Sequence, residues 1–444
     1  MRLGRAALAA VIGCAPVPVL EDGPAAAGDA GAIAPDAGAA PPRRSDVGAE
    51  VGLPPAATTC LVFGDLDGDG DADLVIADPD GGGGTHLYRN GGGTFAREPL
   101  GVPSATACAR GQADPTLLAV ATAGGRAWRV RVGRLGVGEP SEMVGLEPGE
   151  GGRLTVMALA DLDADGADDL AVGYNHFPPE GADFACAASA SDYACRLDPA
   201  PPQERLRLVR GGAAAPDGAA FGACSARAAL GLEVADLDGD GWPDLYVSND
   251  FGSNALLRNV SGARFEDVLP VLRAAPYNHA MGAAVADFDA DGRLDVYVSD
   301  LGPNQLWLAR EAAWEDASAA WGVVDPTRFA STWSPAAADL NGDGATDLFV
   351  PTTLRAGDLA EFEAAVRSGP VAVSTTQADL LLIADVGGFR ASLVPHEIGG
   401  ASVGAAAVAA VADFDGDGDV DVAVSSEVPP TFRLLRNDRA DSSP

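Results

Sequence analysis

Six stretches of this 444-residue chain place acidic side chains at one fixed spacing, and the chemistry that spacing suits is coordination of a divalent cation. The fullest spans residues 236–244, D-L-D-G-D-G-W-P-D, with Asp236, Asp238, Asp240 and Asp244 at positions 1, 3, 5 and 9 and Gly241 at position 6. Oxygen ligands converge at this spacing while a residue lacking Cβ takes the sharp turn, as in a calcium loop. The frame recurs in Asp65, Asp67, Asp69 and Asp73, in Asp161, Asp163, Asp165 and Asp169, in Asp287, Asp289, Asp291 and Asp295, and in Asp413, Asp415, Asp417 and Asp421. A sixth copy, Asp339, Asn341, Asp343 and Asp347, replaces one Asp by Asn. A lone D-G-D-G is an ordinary solvated turn. Six in one register predict up to six bound Ca2+ ions, each a cross-link between the strands that flank its loop.

The elements that must carry these loops are strands. Position 12 of the fullest copy is Val247, where a helical EF-hand needs a bidentate Glu, and the residues after the loop alternate as a strand does. In the first copy an apolar strand at 60–63 enters the loop, and further strands follow at 74–77, 86–89 and 95–100. Loop starts are separated by 96, 75, 51, 52 and 74 residues, so the basic period is near 51. The 96-residue gap holds a further repeat, about 105–145, in which Cys108, Arg110, Gln112 and Thr116 stand where ligands should be. The two gaps of about 75 residues hold insertions between the second and third strands, one around Cys186 and Cys195, the other with an amphipathic run at 358–367. Four short strands repeated seven times at this period predict an all-β, seven-bladed β-propeller over residues 45–438. After the last loop only two strands precede the tail at 439–444, so the segment from Asp46 to Leu53 is expected to complete the last blade and close the ring.

The formal charge of -35 is offset by a 47% hydrophobic composition, too apolar for a disordered chain. Much of the acid is local, since the six loops use 23 Asp. Every basic residue is Arg and no basic stripe is present, which argues against nucleic acid as a partner. Residues 1–14 read as a targeting segment: Arg2 and Arg5, a short apolar run, then Val11-Ile12-Gly13-Cys14. That ending resembles a lipobox, with Cys14 as the lipidated residue. Residues 15–44, almost wholly Ala, Pro, Gly and Asp, read as a flexible tether. The expectation is an extracytoplasmic monomer, a bacterial outer-membrane or cell-surface lipoprotein touching the membrane only through its anchor, or otherwise a secreted protein. Cys186 and Cys195 are the first candidates for a disulfide; Cys60 and Cys108, near the starts of neighbouring repeats, are a second pair, and Cys224 is left over.

The wording of residues 241–250, 254–259 and 265–268 resembles the FG-GAP or VCBS repeat family, the calcium-loop propellers related to the integrin α-subunit head. Residues 281–323 are similar to repeats of cartilage acidic protein and the UnbV-like proteins, without the C-terminal domain those relatives often carry. The resemblance implies that recognition uses the face opposite the calcium loops. Here that face would present both insertions, together with Tyr277, Asn278, His279, Phe329, Thr332 and Trp333, which blade packing would equally explain. No H-E-x-x-H or G-x-S-x-G occurs, and His86, His176, His279 and His396 lie in separate repeats, so no catalytic residue is assigned. The expected function is a calcium-stabilised binding or adhesion scaffold for a protein or glycan. A propeller lyase or hydrolase acting on a polysaccharide, and a structural envelope protein, are the alternatives.

Overall fold

The computed structural model describes residues 43–55, 58–78, 84–176, 183–188, 193–198, 204–211, 213, 220–221, 226–250, 253–268, 279–300, 302–311, 313–327, 330–353, 378–385, 387–395, 407–427 and 430–438. All lie within the unit Pro41–Pro444; the other unit, Met1–Ala40, contains none of them. Cys14, Cys224, Tyr277, Asn278, Phe329, His396 and the run at 358–367 fall outside the described residues, as do the side chains of Cys186 and Cys195.

The second strands explain why the chain folds as stacked blades. Leu245-Tyr246-Val247 is buried throughout, and its alternation sends Leu245 and Val247 to one core and Tyr246 to another. A sheet buried on both faces must sit between two other sheets. Blade one is Leu61–Gly64, Asp73–Asp78, Gly84–Asn90 and Phe95–Pro99. Blade two is Ala107–Arg110, Leu117–Ala121, Ala127–Gly133 and Ser141–Met143, with Gly136–Val137 beside its third strand. Blade three shows three strands among the described residues, Gly152–Ala160, Asp169–His176 and Arg207–Val209. Blade four is Ala229–Ala235, Asp244–Asn249, Ala255–Val260 and Arg264–Asp267. Blade five is Ala280–Ala286, Asp295–Asp300, Gln305–Arg310 and Ala313–Asp316. Blade six is Ala336–Ala338, Asp347–Val350, Ala378–Asp385 and Gly388–Pro395. Blade seven runs Ala407–Ala412, Asp421–Glu427 and Pro430–Asp438, and its outermost strand is the N-terminal Arg43–Asp46.

Each blade is an antiparallel meander, and the first strand of each touches the first strand of the next all the way round, blade seven against blade one included. Seven apolar cores result, one at each junction. Closure is by the register Arg43↔Asp438 to Asp46↔Leu435, and Val47 and Leu53 then join the core between blades seven and one. The expected all-β propeller of seven blades, closed by the N-terminal segment, is the fold observed, but the closing strand is Arg43–Asp46, which begins two residues inside the stretch read as a tether, and only turns follow it over 47–53.

The disulfide left open by sequence joins Cys60 to Cys108 across the junction of blades one and two, with Cα atoms 5.1 Å apart. The insertion in blade three contains the hairpin Asp183–Ala188 with Tyr193–Asp198, whose register sets Cys186 opposite Cys195. It leaves from the end of the blade opposite the acidic loop. No helix of the described residues is long and apolar enough to cross a membrane.

Candidate metal centres

Each acidic loop joins the first strand of a blade to its second, so the six loops lie at one end of the ring. Position 9 opens the second strand and is almost wholly buried: Asp73, Asp169, Asp295, Asp347 and Asp421 are 0% exposed and Asp244 is 1%. Both of its oxygens have work independent of any metal. One accepts the N–H of position 2, from Leu66, Leu162, Leu237, Phe288, Leu340 or Phe414, at 2.9–3.2 Å. The other accepts an N–H from the third strand or, in blade three, from the turn just after it: from Asn90, Gly211, Asn259, Ala309, Ala384 or Asn437, at 2.6–2.9 Å. Burial, reinforced by neighbouring loop carboxylates and opposed by these two hydrogen bonds, lifts Asp73, Asp244, Asp295 and Asp347 to about 6 and Asp421 to about 7. Asp169 is raised in the same way.

Position 1 folds the loop around itself. Asp236 accepts the N–H groups of Gly239, Asp240 and Gly241 at 2.9–3.0 Å. Asp339 accepts the same three positions of its loop, Asp65 and Asp413 accept positions 4 and 6, and Asp161 and Asp287 accept positions 5 and 6. Position 5 accepts the N–H of position 7, as in Asp240 with Trp242 at 2.9 Å. The turn demands a left-handed residue at position 4. Gly68, Gly239, Gly342 and Gly416 supply it at φ of 74–79°, whereas Ala164 and Ala290 adopt φ of 59° and 58° in the loops of blades three and five. Those two carry strain that glycine would not.

The outcome for each predicted ligand differs by loop. Asp65, Asp67 and Asp73, then Asp236, Asp238 and Asp244, then Asp413, Asp415 and Asp421 each bring three carboxylate oxygens within 4.8 Å of one another. In blades three and five the groups are Asp161, Asp163 and Asp165, and Asp287, Asp289 and Asp291. Asp69, Asp240 and Asp417 lie outside these trios, as do Asp169 and Asp295. The loop of blade six, where Asn341 donates to Asp343 at 2.8 Å, forms no such group of acids among the described residues. Hard oxygen donors converging at this distance fit a calcium-sized cation and suit zinc or copper poorly. Arginines from the third strands also reach the loops: Arg89 pairs with Asp67, Arg210 with Asp163 and Asp169 at 3.2 Å, and Arg310 with Asp289 at 2.6 Å.

Blade two keeps its shape without such a loop. Asp168, position 8 of the blade-three loop and 3% exposed, accepts the N–H groups of Ala113 at 3.0 Å and Asp114 at 2.9 Å from blade two. Asp114 in turn accepts from Thr116 and pairs with Arg131. Sequence gave no sign of this, because Asp168 falls outside the repeated frame. A second unforeseen group is Asn90, Asn259 and Asn437, each at most 3% exposed. Their signal was the recurring Arg-Asn pair that ends the third strand of blades one, four and seven.

At the opposite end, His279 is 2% exposed and its Nδ1 lies 3.0 Å from Asp250, while its N–H donates to Asp300 at 3.1 Å. Thr332 donates to the carbonyl of Asp300 at 2.9 Å. Trp333 packs with Met281 in a small cluster of its own. Blade-four Asp250 thus meets blade-five His279, and blade-five Asp300 meets Thr332 before blade six: these side chains bind blades together.

Residues 236–298, from the blade-four loop to the second strand of blade five, match the family model described as FG-GAP-like repeat. Cartilage acidic protein 1 of Mus musculus is 31% identical over 134 residues, 30% of this chain, and the match spans 20% of that protein's length. Among solved structures, the hydrazine synthase of Kuenenia stuttgartiensis aligns with a TM-score of 0.49 and 11% identity, over 87% of this chain and 97% of that one. BBS1N in complex with ARL6DN aligns at 0.47 and 14%, over 87% and 94%. Likenesses at these values bear on no activity.

Proposed function

We propose that this ring of FG-GAP-like repeats is a calcium-stapled, extracytoplasmic scaffold that binds a protein or glycan on the face opposite its acidic loops. The observation that carries it is the convergence of three carboxylate oxygens in each of five loops at one end of a closed ring. Carboxylates held this close repel one another, and a divalent cation turns that repulsion into a bond between the first and second strands. Calcium at ten times its dissociation constant adds about 1.4 kcal/mol per site. Extracellular calcium modules bind at about 0.1 to 1 mM, so occupancy would follow an extracellular environment. The Cys60–Cys108 bridge suits the same compartment. The match to cartilage acidic protein 1 supports the same extracellular reading. Anchoring through a lipidated Cys14 is part of the proposal.

With one end devoted to short self-bonded loops, the long connections of blades three and six leave from the other, which is where a partner would meet the most chain. Calorimetric titration of the chelator-treated full chain with calcium should show several equivalents bound, and chelation should lower the melting temperature. No heat and an unchanged melt, with metal removal confirmed, would refute the staple. Glycan-array and pull-down binding in calcium then tests the scaffold reading; a folded, calcium-loaded chain that retains nothing would leave a purely structural role.

A further inference from the structure

We infer that the calcium loops do not fill independently: buried asparagines couple them into a trio, a pair and a single site. This rests on the metal reading above and adds to it which sites regulate which.

The coupling element is the third-strand residue whose N–H holds the position-9 aspartate. In blade four this is Asn259, which donates its N–H to Asp244 at 2.7 Å and its side-chain amide to Pro243 of the same loop at 3.0 Å. The same amide crosses the junction and donates to the carbonyl of Leu162, between two acids of the blade-three loop, at 2.8 Å. Leu162 is held from its other side as well, since its N–H donates to Asp169 at 3.2 Å. A continuous run of hydrogen bonds therefore links Asp244 of one loop to Asp169 of the next.

Asn437 repeats this between blades seven and six, with Asp421 at 2.8 Å, Val420 at 3.1 Å and Leu340 at 2.9 Å. Asn90 repeats it between blades one and seven, with Asp73 at 2.9 Å, Ala72 at 3.2 Å and Phe414 at 2.6 Å. The equivalent residues elsewhere have no side-chain amide: Gly211 in blade three, Ala309 in blade five and Ala384 in blade six. The blade before that of Gly211 is blade two, which has no acidic loop to couple. The loops of blades six, seven and one thus form a linked trio, those of three and four a pair, and that of five stands alone.

A cation that orders one loop fixes its position-9 carboxylate, and with it the asparagine. The fixed amide holds position 2 of the neighbouring loop, so the neighbour has less freedom left to lose when it binds. Coupling worth one net hydrogen bond corresponds to roughly threefold to tenfold in affinity.

Blades three and four carry their own reporter. Trp242 occupies position 7 of the blade-four loop, and a Cβ placed on Gly262 would lie 2.9 Å from Trp242 Cζ3 and 2.8 Å from Asp163 Cα, so the indole also borders the blade-three loop. Terbium(III), an oxygen-seeking substitute for calcium, emits when excited through a nearby tryptophan. The full chain is titrated with terbium and read through the emission that Trp242→Phe abolishes. Asp161→Ala and Asp236→Ala isolate one loop each. For two equal sites the midpoint falls by the square root of the coupling factor, so coupling places the wild-type midpoint about twofold to threefold below both. Asn259→Ala, which keeps every carboxylate, should return the curve to the sum of the two, and Asp287→Ala in solitary blade five should leave the wild-type curve in place. A wild-type curve equal to that sum, or one unmoved by Asn259→Ala, overturns the coupling while leaving metal binding intact. The absence of both emission and calcium heat in the wild type overturns the metal reading beneath it. If Asn259→Ala does not fold, Asn90→Ala followed by calcium calorimetry decides the same question at the blade-one and blade-seven loops: weaker binding supports the coupling and unchanged binding overturns it.

Discussion

Replacing Asp168 by Ala should destabilise the ring by the same amount with and without calcium, which separates this buried acid from its loop neighbours. Its two oxygens hold the N–H groups of Ala113 and Asp114 across the junction of blades two and three. Hydrogen bonds to a charged acceptor contribute about 1.5–3 kcal/mol each, but Ala113 is exposed and water recovers part of its share, so about 2–3 kcal/mol is lost in total. Unfolding entropy near 2.1 cal/mol/K per residue over roughly 400 residues makes this about 3 °C in melting temperature. Asp168→Asn, which keeps one acceptor, should lose about half. The assay is a thermal melt of each variant in saturating calcium and in chelator, beside Asp240→Ala, whose effect should be larger in calcium than in chelator, where only its bond from the Trp242 N–H is lost. An Asp168→Ala effect that vanishes in chelator would make Asp168 a ligand and refute its role as a pin for blade two.

Ala164→Gly and Ala290→Gly remove a left-handed alanine, and each should raise stability by about 1 kcal/mol in a metal-free melt. Cys108→Ser opens a link of 48 residues whose chain entropy amounts to roughly 4 kcal/mol; the melting temperature should fall by several degrees, and the fall that reductant causes should shrink by the same amount. Glu233, on the first strand of blade four opposite Tyr246, is enclosed by the ring, and burial pushes its carboxyl up to about 7. A raised acid costs nothing below about pH 4.5 and its full penalty above pH 7, so Glu233→Gln should match the wild type at pH 4 and be more stable at pH 8. The gain should be about 1–2 kcal/mol, because solvent still reaches the half-buried side chain.

The repeat, the seven blades and the closing strand were legible because each rests on local text. A loop frame seen six times fixes a hairpin, the period fixes the blade, and strands apolar on both faces demand neighbours on both sides. What sequence could not reveal lies across junctions. Cys60 and Cys108 stood out as a pair, yet only the stacking of blades one and two brings their Cα atoms within 5.1 Å. Asp168 reads as one more acid in an acidic loop until topology sets it under residues 113 and 114. Asn259 reads as one more polar residue near the end of a strand until the preceding blade supplies Leu162. His279, Thr332 and Trp333, left open between recognition and packing, are 2%, 0% and 5% exposed, so they serve packing.

Blade two shows what an acidic loop is for, because it is the blade that does without one. Its neighbours bind it from both sides. Blade one holds it through the Cys60–Cys108 bridge, and blade three through Asp168, through the N–H of Gln112 to the carbonyl of Leu159 at 3.2 Å, and through the bridge between Gly111 and Leu159. Arg129 adds a bond from blade two to the carbonyl of Ala213 at 3.1 Å. The asparagine that would reach toward a blade-two loop is absent too, Gly211 standing in its place. A covalent bond and a buried carboxylate therefore occupy the stretch of ring where no cation is expected, and the asparagine links occur only where acidic loops sit side by side. Disulfide, buried carboxylate and asparagine amide are then alternative solutions to one mechanical problem, the fastening of each blade to the next.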